Sequence, residues 1–121
     1  INTYNTDVTV LNNTAIKTAS KKGYTEVVEL LLANGADPTN NDNYAIRLAS
    51  QNGHTRVVEL LLGSGRVSPT AGLLAASIAG YIEIVELLLN YGADPTVITD
   101  DEIIEISESG HEDIVRLLRP H

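Results

Sequence analysis

Cysteine, tryptophan, phenylalanine and methionine are all absent from this chain, and five tyrosines are the whole of its Phe, Trp and Tyr complement. Without cysteine there can be no disulfide, thiolate zinc site or catalytic thiol, which suits an intracellular protein, cytoplasmic or nuclear. Without the large aromatic and thioether side chains the core has to be aliphatic, built from Leu, Val, Ile and Ala. No uninterrupted apolar run approaches the ~18–20 residues of a membrane span, so no membrane partner is expected. Positive charge is scarce as well: eight Lys and Arg face sixteen Asp and Glu, for a net charge of −8. The imbalance lies in the second half. Residues 1–60 carry five basic against six acidic side chains, residues 61–121 three against ten, and Asp100 to Asp113 hold seven carboxylates with no basic residue. A field of that sign repels phosphate backbones and anionic lipid. Nucleic acid is therefore not expected as a partner, and a protein with a basic patch fits more easily.

What the chain does have is a period. Gly23-Tyr24, Gly53-His54, Gly80-Tyr81 and Gly110-His111 recur at intervals of 30, 27 and 30 residues. Each pair follows a short apolar run that ends in Ser20, Ser50, Ser77 or Ser107. Each precedes a longer one: Val27-Val28-Glu29-Leu30-Leu31-Leu32, Val57-Val58-Glu59-Leu60-Leu61-Leu62, Ile84-Val85-Glu86-Leu87-Leu88-Leu89 and Ile114-Val115-Arg116-Leu117-Leu118. Self-similarity at such a period indicates a stacked solenoid, whose core accumulates from nearest-neighbour interfaces.

In the unit 13–42, Thr14-Ala15-Ile16 opens a short helix in which Ile16, Ala19 and Ser20 form one narrow buried stripe. The buried serine can satisfy its hydroxyl on the carbonyl four residues back. Gly23 ends that helix, because glycine takes the left-handed conformation there without steric cost. Thr25 is placed to cap a second helix, with Glu26 near the positive end of its dipole. Val27, Val28 and the three leucines give this helix a broad apolar face. Gly35 and Pro38 terminate it, and residues between Pro38 and Tyr44 read as a projecting turn. Two short helices and a turn cannot bury their own apolar faces, so the units must stack. The fold class is all-α, a solenoid of helix-turn-helix units joined by short hairpin-like loops.

Thr14-Ala15-Ile16, Ala19-Ser20, Gly23-Tyr24, Val27-Val28, Leu30-Leu31-Leu32 and Gly35-Ala36-Asp37 together resemble the ankyrin repeat, whose usual form runs T-P-L-H-x-A-A-x-x-G-H, then V-V-x-L-L-L and G-A-D. The resemblance covers residues 13–121. The T-P-L-H stretch departs in every unit, and the period is about 30 instead of 33. In that it is similar to the short ankyrin arrays of giant DNA viruses and some lower eukaryotes. The expected units are 13–42, 43–70, 71–100 and 101–121, the last an acidic C-terminal cap. Residues 1–12 read as the tail of a preceding partial unit, so the chain is expected to be a segment of a longer array. Ser68-Pro69-Thr70 runs straight into the third unit, which removes the counterparts of Asn40–Asn43 and accounts for the 27-residue interval.

The resemblance implies a non-catalytic, monomeric protein-binding module whose partner sits in the concave groove, against loop tips and outward positions of each first helix. The matching positions are Asn13, Lys17, Lys21 and Lys22, then Asn43, Arg47, Gln51 and Asn52. In the third unit they are Thr70, Leu74, Ile78 and Ala79, and in the fourth Asp100, Ile104, Glu108 and Ser109. The groove then grades from basic through polar and apolar to acidic. Leu74 and Ile78, one turn apart, are either an exposed contact site or buried by a tilt of the third unit's first helix. Lys17, Lys21 and Lys22 are either a recognition element or a solvated face. The alternative to a binding module is a structural spacer that positions another domain.

Chemistry finds little support. The resemblance assigns His54 and His111 to holding loop backbone, and no His-x-x-x-His or similar metal spacing occurs. The carboxylates of 100–113 lack the Asp/Asn-Gly order of a calcium loop and read as a solvated cap. There is no glycine-rich phosphate loop and no nucleophile spaced from a base. No cofactor, metal or catalytic residue is expected.

Overall fold

The computed structural model describes the backbone of residues 2–120 and the side chains of residues 11–120. Among these it contains eight α-helices: α1 Asn2–Lys22, α2 Thr25–Ala33, α3 Asn40–Gln51, α4 Thr55–Gly63, α5 Leu73–Ala79, α6 Ile82–Asn90, α7 Asp100–Glu108 and α8 Glu112–Leu118. They form four antiparallel pairs. The first helices α1, α3, α5 and α7 stack in one layer, and the second helices α2, α4, α6 and α8 stack in another. The expected opening of the first helix at Thr14 is corrected: α1 begins at Asn2 and runs through that position. The reading of residues 1–12 as the tail of a preceding unit falls largely on side chains outside the described residues.

Within each pair the reversal is the same. The amide after each glycine reaches back five residues, from Tyr24 to Ala19 O at 3.0 Å, His54 to Ala49 O at 3.0 Å, Tyr81 to Ala76 O at 3.0 Å and His111 to Ile106 O at 3.2 Å. This is the closing bond of a glycine-terminated helix. The expected cap on the second helix is also corrected: Thr25 is the first helical residue, its hydroxyl donates to Gly23 O at 3.5 Å, and no side chain caps α2. Leaving the left-handed glycine so abruptly puts Tyr24, not Thr25, in the boundary position.

The aliphatic core runs through both layers. Ile16, Ile46, Leu73, Val28, Val58, Val85, Leu61 and Leu88 are fully buried, as are Ser20, Ser50 and Ser77. Ser77 donates to Leu73 O at 2.7 Å, the four-back bond expected of all three. Ser20 and Ser50 find no hydrogen-bond partner among the described residues. Ser50 instead packs beside Gly72, where an added Cβ would lie 2.5 Å from its Oγ.

The turns between pairs are tied by side chains. Asp37 Oδ1 accepts from the Thr39 amide at 2.9 Å and the Thr39 hydroxyl at 2.6 Å, and Asp94 does the same with Thr96. The projecting turn after Pro38 is a left-handed one at the start of α3, with Asn41, Asp42 and Asn43 all near φ 59°, so the regular right-handed part of that helix follows them; Asn and Asp are the non-glycine residues best suited to that region. In the second turn Arg66 is inserted and the four-residue counterpart of Asn40–Asn43 is gone, leaving a 3-10 turn Pro69–Gly72 that leads directly into α5. The last turn carries a full capping box: Thr99 Oγ1 accepts from the Glu102 amide at 3.2 Å, and Glu102 Oε1 accepts from the Thr99 amide at 2.9 Å. Part of the acidic cluster at 100–113 thus opens α7, where carboxylates face the positive end of its dipole.

The Asp-Thr bonds carry a pH signature. Both aspartates titrate below the usual carboxylate range, chiefly because the threonine hydroxyl and then the threonine amide donate to the charged form; Arg66 adds a smaller push at Asp37. A carboxylate depressed in the folded state contributes stability that is present above its unfolded pKa and is lost as pH falls through the folded one. Thermal stability should therefore decline below about pH 4. In the D37N/D94N double variant the gap in Tm between pH 7 and pH 3 should shrink relative to wild type. An unchanged gap would mean that these bonds do not discriminate between the two protonation states.

Candidate binding face

The sequence-derived positions divide into those that hold the scaffold and those that line a surface. Asn13 and Asn43 belong to the first group. Asn13 Oδ1 accepts from the Asp37 amide at 2.8 Å, and Asn43 Oδ1 from the Ser68 amide at 3.2 Å. In the third pair Thr70 Oγ1 does this for the Asp94 amide at 2.9 Å. Asn52 folds its amide back onto Leu48 O at 2.7 Å and closes α3. These side chains are spent on backbone. Lys22 and Glu108 are exposed near the ends of α1 and α7 and line neither depression described below.

The second group comes together in two adjacent depressions on the first-helix layer. Between α1 and α3 lies one of about 230 Å³, with Lys17, Lys21, Thr14 and Thr18 on one wall and Tyr44 and Leu48 on the other. Between α3 and α5 lies a larger one of about 580 Å³, bounded by Arg47 and Gln51 and floored by Ala71, Leu74, Ala75, Ile78 and Ala79. Arg47 stacks its guanidinium on the Tyr44 ring, 5.4 Å from the centroid, so one aromatic–cation pair separates the two. Leu74 is half-buried and Ile78 is 37% exposed. The alternative that a tilt of α5 buries both is not what is seen: Ile78 keeps an open apolar face beside alanines too small to cover it.

Tyr44 and Leu48 were not among the expected contact positions. Their signal was present in the sequence, since Tyr44 stands at i, i+3 to Arg47 and Leu48 at i, i+3 to Gln51, but the wall opposite them comes from α1, a neighbour that spacing within α3 does not reveal. Another depression, about 620 Å³, lies on the second-helix layer between Leu32 and Leu60. Its rim carries the Arg56–Glu59 and Arg66–Asp37 ion pairs, at 3.7 and 3.3 Å, so its charges already have partners. Size alone would favour it; unpaired charge beside uncovered apolar surface favours the first-helix face.

The histidines sit at the joints between pairs. His54 Nε2 donates to Lys21 O at 2.9 Å, since a carbonyl oxygen can only accept. Its ring lies across Gly23, the Tyr81 ring lies across Gly53, and the His111 ring across Gly80. Each glycine is thus roofed by the aromatic side chain of the following pair. No group of three His, Asp or Glu among the described residues is arranged to hold a metal ion.

Stacked helix pairs joined by three such roofed glycines are the architecture to which a family model agrees: ankyrin repeats in three copies match residues 1–71 and again 19–99. The chain belongs to the ankyrin-repeat family. The match ends before α7 and α8, whose membership rests on the repeated geometry of Gly110-His111 and the stacking of α7 on α5 and α8 on α6. No curated protein matches the chain significantly. Ankyrin repeats are in general protein–protein interaction modules and typically non-enzymatic. No helix among the described residues is long and apolar enough to cross a membrane.

Proposed function

We propose that this chain is a non-catalytic protein-binding module that holds a partner's loop or peptide on its first-helix face, across four units bounded at 13–42, 43–70, 71–100 and 101–121. The observation that carries this reading is the larger depression between α3 and α5. There Arg47, Gln51, Leu74 and Ile78, four of the positions to which the family resemblance assigns contact, converge on one surface. Open apolar side chains rimmed by polar ones mark interaction sites. Ankyrin repeats share a fold across many unrelated partners, so the scaffold supplies a mode of binding and the side chains on this face supply the choice.

The test is a displayed random-peptide library panned in parallel against the full chain and the L74D/I78D variant, whose helical content is first checked by circular dichroism. Peptides should be enriched on the wild type and lost on the variant, with I78E alone reproducing most of the loss because Ile78 is the more exposed of the two. A spacer that positions another domain would yield no peptide that distinguishes wild type from variant.

A further inference from the structure

The net charge of −8 suggests a basic partner, yet the first-helix face is not acidic where its depressions lie. Lys17, Arg47, Leu74 and Ile104 occupy the same position in successive repeats, and Lys21, Gln51, Ile78 and Glu108 the position one turn further. Read along the stack, the face is cationic over the first two pairs and apolar over the third, with acid only at its far end. The three ion pairs among the described residues use Arg56, Arg66 and Arg119. Lys17, Lys21 and Arg47 meet no carboxylate there, although acidic residues outnumber basic ones two to one in the chain. Of the five cations without an ion pair among the described residues, Lys17, Lys21 and Arg47 line the two depressions, Lys22 lies beside Lys21 at the end of α1, and Arg116 alone sits on the second-helix layer, in α8.

Resting on the groove reading above, we infer that the partner segment is extended and acidic-then-aliphatic: carboxylates over Lys17, Lys21 and Arg47, and a branched aliphatic side chain between Arg47 and Ile78. Stacked helices lie about 8–10 Å apart, so the α1 row and the α5 row are separated by roughly 16–20 Å. An extended chain spans that in about five or six residues at ~3.3 Å each, whereas a helix would need a dozen. A segment in this orientation places its acidic end farthest from Asp101, Glu105 and Glu108 of α7. Reversed, it would set carboxylate against carboxylate and leave the lysines unanswered. The long-range field of the chain opposes an acidic ligand, so recognition depends on short-range pairing and should strengthen when bulk salt screens the distant repulsion. Excess salt should then weaken it.

The test uses the peptides retained on wild type but lost on L74D/I78D, with a synthetic probe of Glu-Glu, a five-residue Gly/Ser spacer and Leu-Leu as a defined control. Retained peptides should be enriched in Asp or Glu about five or six positions from a Leu, Ile or Val. The K17E/K21E/R47E variant should bind the probe about tenfold more weakly, and a Lys-Lys version of the probe should recover binding on that variant. This charge swap separates lost recognition from lost folding. Peptides that need Leu74 and Ile78 but show no acidic enrichment, and that bind the triple variant equally well, would overturn the polarity while leaving the groove reading in place. If no peptide depends on Leu74 and Ile78, both fail.

Discussion

Replacing Gly53 with alanine should destabilise the stack by about 2–4 kcal/mol, whereas the same change at Gly110 should cost only about 1 kcal/mol. Both glycines have positive φ, +76° and +89°, so each substitution incurs the left-handed penalty of an L-residue. The difference is the roof. A Cβ on Gly53 would lie 2.7 Å from Tyr81 Cζ, so the ring must shift from its place across the joint between α3/α4 and α5/α6 to admit it. A Cβ on Gly110 would meet nothing within 4 Å. Chemical denaturation of the two variants side by side reads the difference directly. Equal losses would show that the aromatic roof contributes nothing beyond backbone conformation. A stack whose total stability is of the usual 5–15 kcal/mol could lose much of its folded population through Gly53 alone.

The second large effect is expected in the second-helix layer. Leu88→Ala should cost about 2–5 kcal/mol, since Leu88 is fully buried among aliphatic neighbours with no flexible methionine or large aromatic ring to fill the void. Leu30→Ala should change stability by less than about 0.5 kcal/mol, because Leu30 is 63% exposed. The two leucines lie in nearly identical runs, Val-Val-Glu-Leu-Leu-Leu and Ile-Val-Glu-Leu-Leu-Leu. A urea titration showing similar losses for both would contradict the layered packing described above.

That contrast shows what a single chain's pattern can and cannot convey. The period, the helix pairs and the glycine turns were legible because each rests on a local rule: apolar spacing, positive φ after a helix, and proline where a helix cannot continue. The role of Thr70 was only half legible. The shortened turn was visible in the spacing, but not that Thr70 would take over the loop-holding task of Asn13 and Asn43. The burial difference between Val27 at 44% exposed and its counterpart Val57 at 0% depends on which neighbour stands beside each, and repeat identity conceals it. The candidate face divides in the same way. Lys17, Arg47, Leu74 and Ile78 were placed by the family resemblance, which assigns contact to outward positions of each first helix, carried from unit to unit by the register. Asn13, Asn43 and Asn52 were placed by the same register, yet their amides turn to nearby backbone, a choice settled by loop geometry several residues away. The Thr99–Glu102 capping box was written in the sequence as T-x-x-E, hidden among carboxylates that drew attention as a charge cluster.

Which of the two helix layers meets a ligand decides the function. The decisive measurement is an NMR titration of the ¹⁵N-labelled chain with the Glu-Glu…Leu-Leu probe. Amide shifts should concentrate at Lys17, Lys21, Tyr44, Arg47, Leu74 and Ile78 and leave Leu32, Arg56 and Leu60 unmoved. Shifts centred on Leu32, Arg56 and Leu60, or none at the first-helix positions at saturating probe, would contradict it.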